Sequence, residues 1–118
     1  VTFDIIGLCA ERPDPAAAIA AVLPLSGGLT ASTAKGRPLV QLCHPDGRLL
    51  LSIEEARLVR VPGEVRRVLG IGGETEVPHP VWWVECRAPE SDPEAEAVAR
   101  AFTDTLVGGT GGLSWSSR

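Results

Sequence analysis

"HPVWWVECRAP", residues 79–89, sets Trp82 directly beside Trp83 in a chain with only one other Trp and no Tyr. The run is rich in β-branched and aromatic residues and is bounded by prolines, which predicts a strand over 81–87. Successive side chains of a strand point to opposite faces, so the two indoles part company. One is expected to enter a core beneath helices. The other lies on the opposite face and must be sheltered by the 39–53 hairpin, by the "EVRRVLG" segment (64–70) or by a partner molecule. Each ring represents about 150–250 Å² of surface, so leaving one in water would forgo several kcal/mol.

Reading outward, "SDPEAEAVARAFTDTLVGG" (91–109) opens with a capping box or an Asp92 cap followed by Pro93. It then carries Val98, Ala101, Phe102 and Leu106 on one helical stripe and stops at Gly-Gly. "GGLSWSS" alternates Leu113 and Trp115 as a closing strand. The N-terminal end has the same grammar: a strand over 2–8, a helix capped by Asp14 with Pro15 at its first position, and a stop at Pro24 and Gly27-Gly28. Both ends read as β-α-β units, and their likeness raises an internal repeat, with chance as its rival. Between them, "PLVQLCHPDGRLLLSI" is a hairpin turning at His44-Pro45-Asp46-Gly47. Residues 29–38 read as a ragged edge strand, 57–61 as a third meander strand, and 63–70 as a short helix. The expectation is a single α+β domain over 1–118: a mixed β-sheet built from two β-α-β units flanking a central antiparallel hairpin, with helices mainly on one face.

The chain has 118 residues, of which 44% are apolar and 22% charged, with 13 Gly and 10 Pro. That is enough for one core with many short elements. A net charge of −4 disfavours nucleic acid as a partner, because phosphate neutralisation needs basic excess. No apolar run is long enough to span a bilayer, and the N-terminus lacks signal-peptide flanks, so a cytoplasmic protein without membrane insertion is expected. Cys9, Cys43 and Cys86 are odd in number and sit in apolar runs, which reads as reduced core thiols. One Lys against ten Arg, with abundant Ala, Gly and Pro, reflects a GC-rich genome such as an actinobacterial one. Val1 in a chain without Met suits a GTG start read literally, with residue 1 as the expected natural start.

Chemistry is sparse. Cys43, His44, His79 and Cys86 lack metal-ligand spacing, and neither histidine has a nucleophile in a known catalytic context, so no metal, cofactor or catalytic residue is expected. "GGTGG" (108–112) follows a helix and is no phosphate loop. Glu54 and Glu55 are adjacent acids that diverge on a strand. Glu85 shares a face with Val81, Trp83 and Arg87, where it reads better as recognition than as catalysis. Arg57, Arg60, Arg66 and Arg67 form a basic cluster that is either a solvated face or an anchoring patch, since Arg and Trp dominate binding hot spots.

The stretch "VQLCHPDGRLLLSIEEARLVRVPGEVRRVLG", then "PVWWVECRA", an acidic Ala-rich helix and a terminal Gly-Gly-x-x-Trp resembles an uncharacterised actinobacterial domain family of type VII secretion gene neighbourhoods. The resemblance runs from Val40 to Trp115 and implies a genomic setting, with no active site to carry over. The functional expectation is a non-enzymatic protein-binding module, such as an adaptor, chaperone or regulatory subunit. Its surface would combine Trp82 or Trp83 with Glu85, Arg87, Arg57, Arg60, Arg66 and Arg67, and it would meet a protein partner or a second copy as a homodimer. The alternatives are an immunity protein neutralising a toxin and a small enzyme with a pocket near His79 and Glu85.

Overall fold

The computed structural model describes residues 1–33, 36–61 and 63–118. Among them, strands β1 (Thr2–Cys9), β2 (Thr30–Thr33), β3 (Leu39–Cys43), β4 (Leu49–Glu54), β5 (Arg57–Val59), β6 (Val81–Pro89) and β7 (Leu113–Ser116) form one sheet. The helices are α1 (Pro15–Val22), α2 (Glu64–Leu69) and α3 (Pro93–Gly108). The sheet order is β2-β3-β4-β6-β1-β7, with β5 also paired to β6. The protein is therefore α+β.

The helix starts follow from their caps. Asp14 accepts a hydrogen bond from the Ala17 amide, and Asp92 accepts from the Glu94 and Ala95 amides; a proline follows each where no amide is needed. The hairpin turns as its residues demand. The Gly47 amide donates to the His44 carbonyl, and Gly47 takes the positive φ (95°) that closes the β3–β4 turn.

The sheet was expected to be mixed, yet every hydrogen-bonded pair is antiparallel. The reason lies in where the crossovers land. Strand β7 returns to the far side of β1, so β6 and β7 share a direction with β1 between them. Strand β2 returns still farther, beyond β6, β4 and β3. The two units that look alike in sequence thus span different distances across the sheet.

Strand β5 also departs from the expected meander. It pairs with the same edge of β6 as β4 does: Ser52 faces Arg87 and Ile53 faces Cys86, then Arg57 faces Trp83 and Val59 faces Val81. The register slips by one residue across Glu54–Ala56, so β4 and β5 are two halves of one long strand bent at a bulge. A second bulge lies at Leu50, where the pairing steps from Leu42–Leu51 to Cys43–Leu49. It allows both Leu50 and Leu51 to sit fully buried in the helix-side core.

That core joins Ile5, Leu42, Ile53, Val84 and Cys86 of the sheet to Val22 of α1 and Val98, Phe102 and Leu106 of α3. Helix α3 comes close over β1 because Gly7 has no side chain there: a Cβ would lie 2.9 Å from Leu106 Cδ2. On the opposite face a smaller core gathers Ile6, Leu8, Val81 and Trp83 under Val65 of α2, with Leu69, Ile71, Val77, Leu113 and Trp115 around it. The rest of that face carries polar residues such as Asp4, Gln41, Ser52 and Arg87, which need no cover. Among the described residues, no helix is long and apolar enough to cross a membrane.

Candidate functional site

The tryptophan pair separates across the sheet, but coverage falls the other way from what a helical layer suggests. Trp83, on the face away from α1 and α3, is only 5% exposed. Val65 of α2 packs against it, its Nε1 donates to Glu85 Oε1 at 3.2 Å, and Arg57 lies over its ring at 5.3 Å. Of the three shelters open to this ring, the "EVRRVLG" segment is the one used. Trp82, on the helical side, is half-buried against the main core.

The expected surface residues consequently divide. Arg57, Trp83, Glu85 and Arg87 do come together on one face, and Arg87 also reaches Asp4 Oδ1 at 3.1 Å. With Arg37, Glu54 and Glu55 they line a polar depression of about 390 Å³. Within it Arg87 pairs with Glu85 at 3.6 Å, and its one aromatic ring is buried. Arg66 is committed elsewhere: its guanidinium donates to the carbonyls of Gly72 and Thr75, tying down the loop that covers the second core. Arg67 pairs with Glu64 on α2 at 2.7 Å, and Arg60 is exposed just past β5. These arginines do not form one anchoring patch.

A different concavity has the features of a docking site. Between the start of α1 and strands β3, β4 and β6 lies a groove of about 380 Å³. Ile19, Val40, Ile53, Ala56 and Trp82 give it an apolar lining, and Pro13, Pro15 and Pro38 stiffen its walls. Arg12, Arg37, Glu54 and Glu55 stand among the lining residues as its charges. Arg12 lies over the Trp82 ring at 5.5 Å, and neither Arg12 nor Arg37 makes an ion pair among the described residues. The Trp82 Nε1 likewise has no hydrogen bond to the described residues. No buried side-chain nitrogen among them lacks a partner, so this N–H is open to solvent. A half-covered indole with a free donor, beside two unpaired guanidinium groups, can take up an apolar side chain, a carbonyl and a carboxylate together.

Sequence reasoning passed over Arg12, Pro13, Pro15 and Arg37 in this role. Their local signal is only that of a helix entry and a turn. Long-range packing alone carries them to Trp82.

The groups considered for chemistry do not converge. His79 lines a small cavity of about 170 Å³ with Val59, Val65 and Arg66, whereas Glu85 lines the polar depression, so the pair shares no pocket. Cys9 and Cys86 are buried thiols, each pushed up from its ordinary pKa chiefly by desolvation. His44 belongs to a charge cluster that fastens the hairpin tip to the start of α3: Arg48 reaches Asp46 at 2.8 Å, Asp92 at 2.6 Å and Glu94 at 2.9 Å, and His44 Nε2 lies 3.4 Å from Glu94. Its arginine is consumed by structural acids. Among the described residues, no group of three His, Cys, Asp or Glu side chains is arranged to hold a metal ion.

Comparison with protein-family models, curated proteins and solved structures finds no match.

Proposed function

We propose that this chain is a non-enzymatic protein-binding module, an adaptor, chaperone or regulatory subunit, whose docking feature is the groove at Trp82. The observation that carries the reading is the half-covered Trp82 ring with its free Nε1–H, set in an apolar groove beside Arg12 and Arg37. Its lining is mostly apolar, with Trp82, Arg12 and Arg37 as anchors and no imidazole base among the described residues, which suits side-chain capture. The ligand chemistry it fits is an extended protein segment bearing one large apolar side chain next to an acidic residue. The resemblance over Val40–Trp115 supports a type VII secretion setting for that partner, and the free cysteines agree with a cytoplasmic one.

Panning a displayed peptide library against the purified protein tests this. Recovered sequences should pair an apolar residue with an acid, and Trp82→Ala or Arg12→Ala should weaken them roughly tenfold or more, as loss of an aromatic or arginine anchor does. Arg87→Ala, on the opposite face, should leave them bound. Failure to select any sequence that depends on Trp82 would count against the groove. The pairing that the enzymatic alternative requires, His79 with Glu85, has no common cavity to support it.

A further inference from the structure

Strand β2 ends the sheet, with β3 on one side and no described strand on the other. All four of its residues, Thr30-Ala-Ser-Thr33, are exposed. Alternate residues of such a strand hold their N–H and C=O outward, a ready template for another strand. Edge strands are normally blunted by charge, proline or a bulge. Strand β2 has no charged residue or proline, and it pairs with β3 in unbroken register from Thr30–Cys43 to Thr33–Val40.

We propose that β2 pairs with β2 of a second copy of this chain, joining two sheets into one across a two-fold axis. This goes beyond the groove proposal: it rests on the free backbone edge of β2 rather than on the Trp82 ring, although Thr33 also borders that groove, so either can fail without the other. Two points favour a second copy over an unrelated strand, and one opposes it. An antiparallel strand pair is its own complement, because each edge offers the donors and acceptors the other needs. Each chain carries a net charge of −4, which would oppose association of like copies wherever charges met. Among the described residues β2 itself carries no charge, and the exposed residues of α1, whose Ile19 shares the groove with Thr33 of β2, are Ala16, Ala17, Ala20 and Ala21. The two-fold axis stands normal to the joined sheet, so both helical layers, and both Trp82 grooves, lie on the same side. Four-residue strands bury little area, so the dimer is a weak one.

Sedimentation equilibrium from micromolar to millimolar concentration tests the proposal. The apparent mass should rise from 12.4 kDa towards twice that value. Thr30→Lys with Ser32→Lys, both on the polar face, should raise the dissociation constant roughly tenfold or more by setting like charges opposite each other. Those lysines reduce the overall negative charge, so general repulsion cannot explain the loss. A mass that stays monomeric for the native chain, or a dimer that the lysines leave unchanged, overturns the proposal. Amide exchange of the native protein decides independently of how the variant folds. Protection of β2 amides that grows with concentration supports the pairing, and protection that does not change with concentration overturns it.

Discussion

Arg57 lies over the ring of Trp83, 5.3 Å from its centroid, directly across the β5–β6 pair. The bulge that separates β4 from β5 brings it there, and the same indole hands its N–H to Glu85 at 3.2 Å. Trp83 is thereby satisfied within the chain. Trp82, one residue earlier, keeps an exposed flank and a free donor.

The two rings should therefore answer differently to truncation. Trp83→Ala should cost about 3–5 kcal/mol, the range for removing a buried large aromatic. Trp82→Ala should cost roughly 1–2 kcal/mol, since only part of its surface is covered. Chemical denaturation of both variants checks this, and equal losses would place the rings in equivalent environments.

Gly112 is fixed by contact rather than by backbone dihedral. A Cβ there would lie 1.9 Å from the Leu8 carbonyl oxygen, at the point where β7 joins β1. Gly112→Ala should destabilise by about 1–3 kcal/mol or more, as overpacking does. Gly108→Ala, whose Cβ would meet nothing within 4 Å at the end of α3, should be neutral or slightly stabilising. Thermal melts of the pair of variants read the contrast.

The clamp on the hairpin tip makes stability depend on acid. Hydrogen bonds from Arg48 hold the carboxyl groups of Asp46 and Glu94 below their ordinary values of 3.8 and 4.5. Both folded pKa values lie below the unfolded ones, so this contribution is complete above about pH 4.5 and is lost as pH falls through the lowered values. Arg48→Ala should lower the melting temperature at neutral pH and flatten its fall below pH 4.5. Melts taken across that range in both proteins measure the difference.

Thiol reactivity should sort the cysteines by place in the fold. Cys9 and Cys86 are buried, with thiol pKa values raised mainly by that burial, whereas Cys43 is half-buried on β3. A disulfide reagent should titrate Cys43 first in the native protein and the other two only on unfolding. Equal rates at all three would mean that β1 and β6 open readily.

Much of this architecture was legible because its signals are local. Asp14-Pro15 and Asp92-Pro93 announce helix starts by satisfying free amides, and His44-Pro45-Asp46-Gly47 announces its turn by dihedral preference. Alternation placed the indoles on opposite faces correctly. It could not say which would be better covered, because coverage depends on where α2 and the loop pinned by Arg66 return to the sheet. The bend between β4 and β5 was equally hidden. A strand that resumes on the same edge and one that turns back to start a new edge have the same residue pattern. The groove was least legible of all, since Arg12, Arg37 and Trp82 come from three distant segments.

The indole N–H resonances of Trp82, Trp83 and Trp115, followed in a ¹H–¹⁵N spectrum while a display-selected peptide is added, test the docking claim most directly. The account predicts that the Trp82 signal shifts saturably, that Trp83, sealed beneath α2 and bonded to Glu85, stays in place, and that Arg12→Ala weakens the response. A peptide that moves Trp83 or Trp115 while Trp82 remains still would contradict it.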